Sequence, residues 1–124
     1  MPKSILIVDD SPLICKLLHE TLEAEGGWTV CGEAANGREA IEKAQKLKPD
    51  LIVLDLAMPV MNGLEAAREL TRVLPSVPLL MFTNYEIARL NSEALAAGIR
   101  ILVSKNGSIG TLVNSIQTLL EPAP

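Results

Sequence analysis

The sequence predicts an α/β fold in which a five-stranded parallel sheet is doubly wound, with helices on both faces. Two observations carry that expectation. Apolar runs and amphipathic stretches alternate along the 124 residues, giving five strands and five helices. The strand runs are also continuously apolar rather than alternating in polarity, as in parallel strands buried on both faces. At this length one core is expected, burying roughly two thirds of the surface that the unfolded chain exposes. No internal repeat, low-complexity segment or second domain interrupts residues 1–124.

In order, Ile5 to Val8 is the first strand, and Pro12 to Glu25 follows as a helix with apolar positions at Ile14, Leu17, Leu18 and Leu22. Ser11 is placed to cap that helix, Pro12 suits its first turn, and Gly26-Gly27 ends it. Trp28 to Ala34 reads as the second strand. Asn36-Gly37 then reads as a turn before a helix with Ala40, Ile41, Ala44 and Leu47 on one face. Leu51 to Leu54 is a buried strand ending at Asp55; a loop with Pro59 and Gly63 leads to a helix carrying Leu64, Ala67, Leu70 and Leu74 inward. Pro78 to Phe82 is the fourth strand, Glu86 to Ala97 the fourth helix, and Gly98 its stop. Ile101 to Val103 is the fifth strand, and Ser108 to Leu120 the fifth helix, with Leu112, Val113 and Ile116 inward. Glu121 to Pro124 cannot extend it and reads as a frayed end or the start of a linker.

Aromatic residues are 2% of the chain, so Leu, Ile, Val and Ala must build the core. The net charge of -4 and the scattered Lys and Arg residues form no basic stripe, which excludes direct nucleic-acid binding by this domain. The apolar runs fall far short of the roughly twenty residues needed to cross a bilayer, and no signal segment opens the chain. A cytoplasmic protein without a membrane partner is therefore expected. Cys15 and Cys31 are expected to be reduced.

In an open α/β sheet, ligands bind at the carboxyl ends of the strands, where the strand order reverses. Asp9 and Asp10 end the first strand, Asp55 the third, Thr83 the fourth and Lys105 the fifth, so four strands deliver polar groups to one edge. Neighbouring carboxylates there would repel by roughly 4 kcal/mol per pair at 4 Å and an effective dielectric near 20. Something cationic must offset this. Oxygen donors without His or Cys fit a hard ion, Mg²⁺ or its substitute Mn²⁺. With Lys105 and the Thr83 hydroxyl beside the metal, the set describes a phosphoryl-transfer site.

The segments "ILIVDDSP", "LIVLDLAMPVMNG", the Thr of "LLMFTN" and the Lys of "ILVSKNG" resemble the receiver domain of bacterial two-component response regulators, over essentially the whole chain. The resemblance implies a flavodoxin-like sheet of order 2-1-3-4-5. It implies that Asp55 is the phosphoacceptor, taking a phosphoryl group from a sensor histidine kinase or a phosphotransfer protein. Asp10, Asp55 and the backbone carbonyl of Ala57 would hold the metal directly and Asp9 through a water. Thr83 and Lys105 would each bind a phosphoryl oxygen. Such a domain catalyses only its own phosphorylation and dephosphorylation. The resemblance further implies a kinase-facing surface at Pro12, Leu13, Cys15 and Lys16, homodimerisation or output through the fourth helix, fifth strand and fifth helix, and, in some regulators, a DNA-binding domain beyond Pro124.

The sequence departs from the family at two places. Leu102 stands where receivers usually carry an aromatic switch residue, and Asn106 where many have proline. Tyr85 and Ala57 occupy the positions that look down on the acyl phosphate, so Tyr85 either shields it from water or packs as a helix-start residue. His19 has no partner at a readable spacing, and Met58 and Met61 read as packing residues. Two other functions stand beside the receiver. A Mg²⁺-dependent phosphohydrolase would place its nucleophile on the first strand and add a substrate cap, whereas Asp9 and Asp10 are adjacent, with side chains expected to diverge. A phosphorylation-independent receiver acting as an interaction module would not need the intact acidic set.

Overall fold

The computed structural model describes residues 2–121, so the predicted tail lies, apart from Glu121, outside the described residues. The elements are β1 (Lys3–Val8), α1 (Pro12–Ala24), β2 (Trp28–Ala34), α2 (Gly37–Leu47), β3 (Leu51–Leu54), α3 (Gly63–Val73), β4 (Leu79–Thr83), α4 (Ile87–Ala96), β5 (Ile99–Ser104) and α5 (Ile109–Leu120). All five strands are parallel, in the order β2-β1-β3-β4-β5. This is the doubly wound parallel sheet that the apolar runs predict, in the flavodoxin-like order that the resemblance implies.

Each run divides its side chains between two cores. Ile5 and Ile7 pack with Leu18, Leu22, Leu112 and Ile116 beneath α1 and α5. Leu6 and Val8 pack with Ala44, Leu70, Leu90 and Ala94 beneath α2, α3 and α4. Because β1 lies between β2 and β3, the chain leaves β1 in one direction and returns to its other side, which opens the crevice that this topology uses for ligands.

Several boundaries move. Asn36 is the N-cap of α2 rather than half of a turn: its side chain accepts the Glu39 N–H at 2.9 Å, and Gly37 is already helical. Strand β5 begins at Ile99, directly after Gly98, because Gly98 takes φ +102° and reverses the chain without a loop. A Cβ on Gly98 would lie 2.1 Å from the Thr71 hydroxyl, so that turn also packs on α3. Leu17 and Leu47, expected inward, are 47% and 40% exposed. Helix α1 instead buries Cys15, Leu18 and Leu22, a narrower stripe than the sequence pattern suggests.

The loop from Asp55 to Gly63 is held at both ends. Gly63 N–H donates to Leu56 O at 2.8 Å, and Met61 O accepts the Gly37 N–H at 2.9 Å. Asn62 and Glu65 form a reciprocal capping box at the start of α3. Between these anchors Val60 takes φ +68°, rare for a β-branched residue, and Met61 N–H closes a tight turn on Pro59 O at 2.7 Å. At Gly63 a Cβ would meet backbone, the Asp55 O at 2.1 Å. Replacing Gly63 by Ala is expected to cost about 2 to 3 kcal/mol in urea unfolding, since backbone must yield rather than a side chain. An unchanged denaturation midpoint would show that this approach is not a constraint.

Candidate functional site

The polar edge predicted from the sequence is assembled by the backbone. Just beyond the strands, Asp9 N–H donates to Ala34 O, Asp55 N–H to Val8 O and Lys105 N–H to Thr83 O, each at 2.9 Å. The ladder thus continues one residue past β1, β3 and β5, and the charged residue there inherits a fixed position.

Asp9 and Asp55 are 4% and 7% exposed, whereas Asp10 is exposed. Asp9 Oδ1 accepts the Ser11 N–H at 2.9 Å, and its Oδ2 accepts from Lys105 Nζ at 2.7 Å. Asp55 Oδ1 accepts the Leu56 N–H at 2.8 Å, and its Oδ2 lies 3.3 Å from Lys105 Nζ. Lys105 also stands 5.9 Å from the centroid of Phe82, within cation–π range. One carboxylate oxygen from each of Asp9, Asp10 and Asp55 lies within 4.8 Å of the others. The expected divergence of Asp9 and Asp10 is therefore corrected: both lie in the turn after Val8, not in the pleat that would send neighbours to opposite faces.

Thr83 is 2% exposed, and its Oγ1 accepts the Tyr85 N–H at 3.0 Å, which leaves its own O–H to donate into the cleft. Acids, Thr83, Lys105, Ala57 and Tyr85 surround an open cleft of 600 Å³. Cys15, expected on the outer face of α1, is instead 5% exposed beneath it and donates its thiol to Asp9 O at 3.4 Å. Burial first, then Glu33 and Asp9, push that thiol up to about 11, so it stays protonated at neutral pH. His19 does have partners, Glu23 one turn on and Glu33 on β2, both at 3.3 Å. The i,i+4 pair with Glu23 was readable in the sequence; the pair with Glu33 required knowing that α1 packs beside β2.

A family model described as the response regulator receiver domain matches residues 5–117. The chain belongs to that family. A protein-glutamate methylesterase/protein-glutamine glutaminase of Alkalilimnicola ehrlichii is 46% identical over 102 residues, 81% of this chain and 26% of that protein. The chemotaxis protein CheY of Thermotoga maritima is 36% identical over 105 residues, covering 85% of this chain and 87% of that one. The crystal structure of the response regulator domain of T. maritima CheB superposes with TM-score 0.90 at 29% identity, covering 100% of both chains. The receiver thus spans about a quarter of the methylesterase's length.

Receivers bind Mg²⁺ at an acidic pocket, and the donors present here suit such an ion. They are carboxylate oxygens that converge within 4.8 Å, with no imidazole or thiolate among them. Before any cation arrives, the receiver offsets its charge with Lys105. Burial by itself would lower the Lys105 pKa, but its bond to Asp9 and the attraction of Asp55 outweigh it, and the value rises. Asp55 is held above the usual carboxylate range, first by burial and then by Asp9, with Lys105 and the Leu56 N–H opposing.

Because its folded-state pKa lies above the unfolded one, Asp55 favours folding when protonated, and that contribution disappears as pH rises through the folded value. At neutral pH its charge is a net cost to the metal-free fold. Asp55→Asn is expected to stabilise the metal-free receiver at pH 7 by about 1 kcal/mol, or roughly 4 °C in Tm, with the gain shrinking toward pH 4. A lower Tm for Asp55→Asn across that range would contradict the sign.

Proposed function

We propose that the domain is the phosphoacceptor module of a two-component system, taking a phosphoryl group onto Asp55 from a sensor histidine kinase or a phosphotransfer protein. The observation that carries this is the Asp55 carboxylate at the foot of the cleft. Its Oδ2 faces Lys105 Nζ at 3.3 Å, while the acids and the Thr83 hydroxyl border the same space. An Asp55 oxygen forms the new P–O bond as the P–N bond of phosphohistidine breaks and the imidazole leaves with the electron pair. Lys105 and the Thr83 O–H each hold a phosphoryl oxygen, so positioning and electrostatics supply the catalysis.

Asp10, Asp55 and the Ala57 carbonyl would hold Mg²⁺ directly and Asp9 through a water. The ion supplies positive charge that the developing phosphoryl oxygens need. The bonding of Asp9 supports its outer role, because Lys105 holds its Oδ2 at 2.7 Å but stands 3.3 Å from Asp55. Asp10 is exposed and faces the same cleft.

Phosphorylation adds about -1.5 to -2 charges and biases a two-state equilibrium at the output face. Thr83 links the two ends of that response, since its Oγ1 holds the Tyr85 N–H at the entry to α4. The module is read as cytoplasmic, with α4, β5 and α5 as the output or homodimer surface and Pro12, Leu13 and Lys16 facing the kinase. No helix among the described residues is long and apolar enough to cross a membrane. A DNA-binding or enzymatic partner domain would act through the output surface.

The phosphohydrolase gains from the convergence of Asp9 and Asp10, which removes one objection. Asp9, the first acid after β1, is nevertheless engaged by Lys105 and Ser11, and no inserted segment covers the cleft among the described residues.

Acetyl phosphate with Mg²⁺ is expected to add one phosphoryl group, detected by intact-protein mass, and Asp55→Asn to add none. Labelling of that variant, or none in the native chain under any donor, would sink the assignment. In calorimetric titrations, Asp10→Ala is expected to weaken Mg²⁺ binding roughly tenfold more than Asp9→Ala. Equal losses would contradict the division of roles.

A further inference from the structure

We propose that Tyr85 is a two-position gate whose ring leaves the mouth of the acceptor cleft and seats in the groove between α3 and α4 when Asp55 carries its phosphoryl group. This rests on the phosphoacceptor reading above. The groove has a volume of 380 Å³ and adjoins the cleft: Leu56, Ala57 and Tyr85 line both. Its inner wall is apolar, with Leu64 and Leu90 8% and 4% exposed beside Leu56, and Glu93 lies at its rim. Tyr85 itself is 54% exposed, an aromatic ring largely in solvent beside an apolar groove within reach of its own backbone. Of the other two aromatic residues, Phe82 is 5% exposed in the core and Trp28 begins β2, at the opposite end of the sheet.

What holds Tyr85 is one hydrogen bond, from its N–H to Thr83 Oγ1 at 3.0 Å. When Thr83 turns its hydroxyl toward a phosphoryl oxygen, that acceptor moves away from the Tyr85 N–H. The segment beyond can follow, because α4 starts at Glu86 without a side-chain cap and its first turn is tied by the exposed Glu86–Arg89 pair at 3.2 Å. The anionic phosphoryl group then takes the cleft, and the ring gains cover against Leu64 and Leu90.

The sequence contains one tyrosine, so 3-fluorotyrosine labels this position alone. The full chain is compared by ¹⁹F NMR with Mg²⁺ and with Mg²⁺ plus beryllofluoride, a phosphoryl mimic whose bound fluorides report their own binding. The expected result is a bound fluoride signal that Asp55→Asn abolishes, together with a shifted Tyr85 signal that loses its broadening by a soluble nitroxide. In Glu93→Trp, which fills the groove, fluoride should bind while Tyr85 stays exposed to the nitroxide. Fluoride bound with Tyr85 exposure unchanged overturns the gate and leaves the phosphoacceptor reading intact; Tyr85 buried equally in Glu93→Trp overturns the groove as its seat. No bound fluoride at all overturns the phosphoacceptor reading and the gate with it.

Discussion

Three carboxylates meeting at one sheet edge are the constraint around which the rest of this receiver is arranged. Lys105 is the ammonium that reaches them, bonded to Asp9 at 2.7 Å and close to Asp55 at 3.3 Å, in a pair whose side chains are 10% and 3% exposed on the Asp9 side. One positive charge against three acids leaves the edge short of neutrality, and Asp55 is held above the usual carboxylate range first by its burial and then by Asp9. A fold stabilised by an apolar core on each face of its sheet can carry such a cost locally. The deficit is also the affinity for a cation, because the repulsion stored among the acids is released when one binds.

Rigidity and freedom are divided across the site. The acids sit on backbone continued from a sheet buried on both faces, and the Asp55 loop is anchored at Gly37 and Gly63 tightly enough to hold Val60 at positive φ. On the other side, the entry to α4 depends on the Thr83 hydroxyl and lacks a side-chain cap. Chemistry that requires fixed positions therefore lies on the β1 and β3 side, and movement belongs to the β4 and α4 side. The same Thr83 oxygen borders the cleft and holds the Tyr85 N–H, so under the proposed function it would join the phosphoryl site to the output face.

Departures from the family pattern gain meaning in this frame. Leu102 sits partly buried against the α2–α4 core and offers no ring to turn. The aromatic residue lining the cleft is Tyr85, whose N–H is held by Thr83 Oγ1. Phe82, the residue before Thr83, is committed to the opposite core beneath Lys105.

The order of elements, the parallel sheet and the identity of the edge residues were all legible in the chain. Continuous apolar runs ending at Asp9, Asp55 and Thr83 state which residue leaves the core first, and strand polarity then puts those residues on one side. Boundaries at Asn36 and Gly98 were less legible, since a cap and a turn use the same residue types and differ only in what the backbone does next. The sequence alone thus determined which groups meet and what chemistry they share, because periodicity and strand ends are local properties. Only the tertiary structure decided that Asp9 is spent on Lys105, that adjacent Asp10 converges with it, that Cys15 is buried, and that His19 reaches Glu33. The Asp9–Lys105 bond joins segments 96 residues apart, the pairing with Glu33 joins α1 to β2, and burial is a property that no single segment possesses by itself.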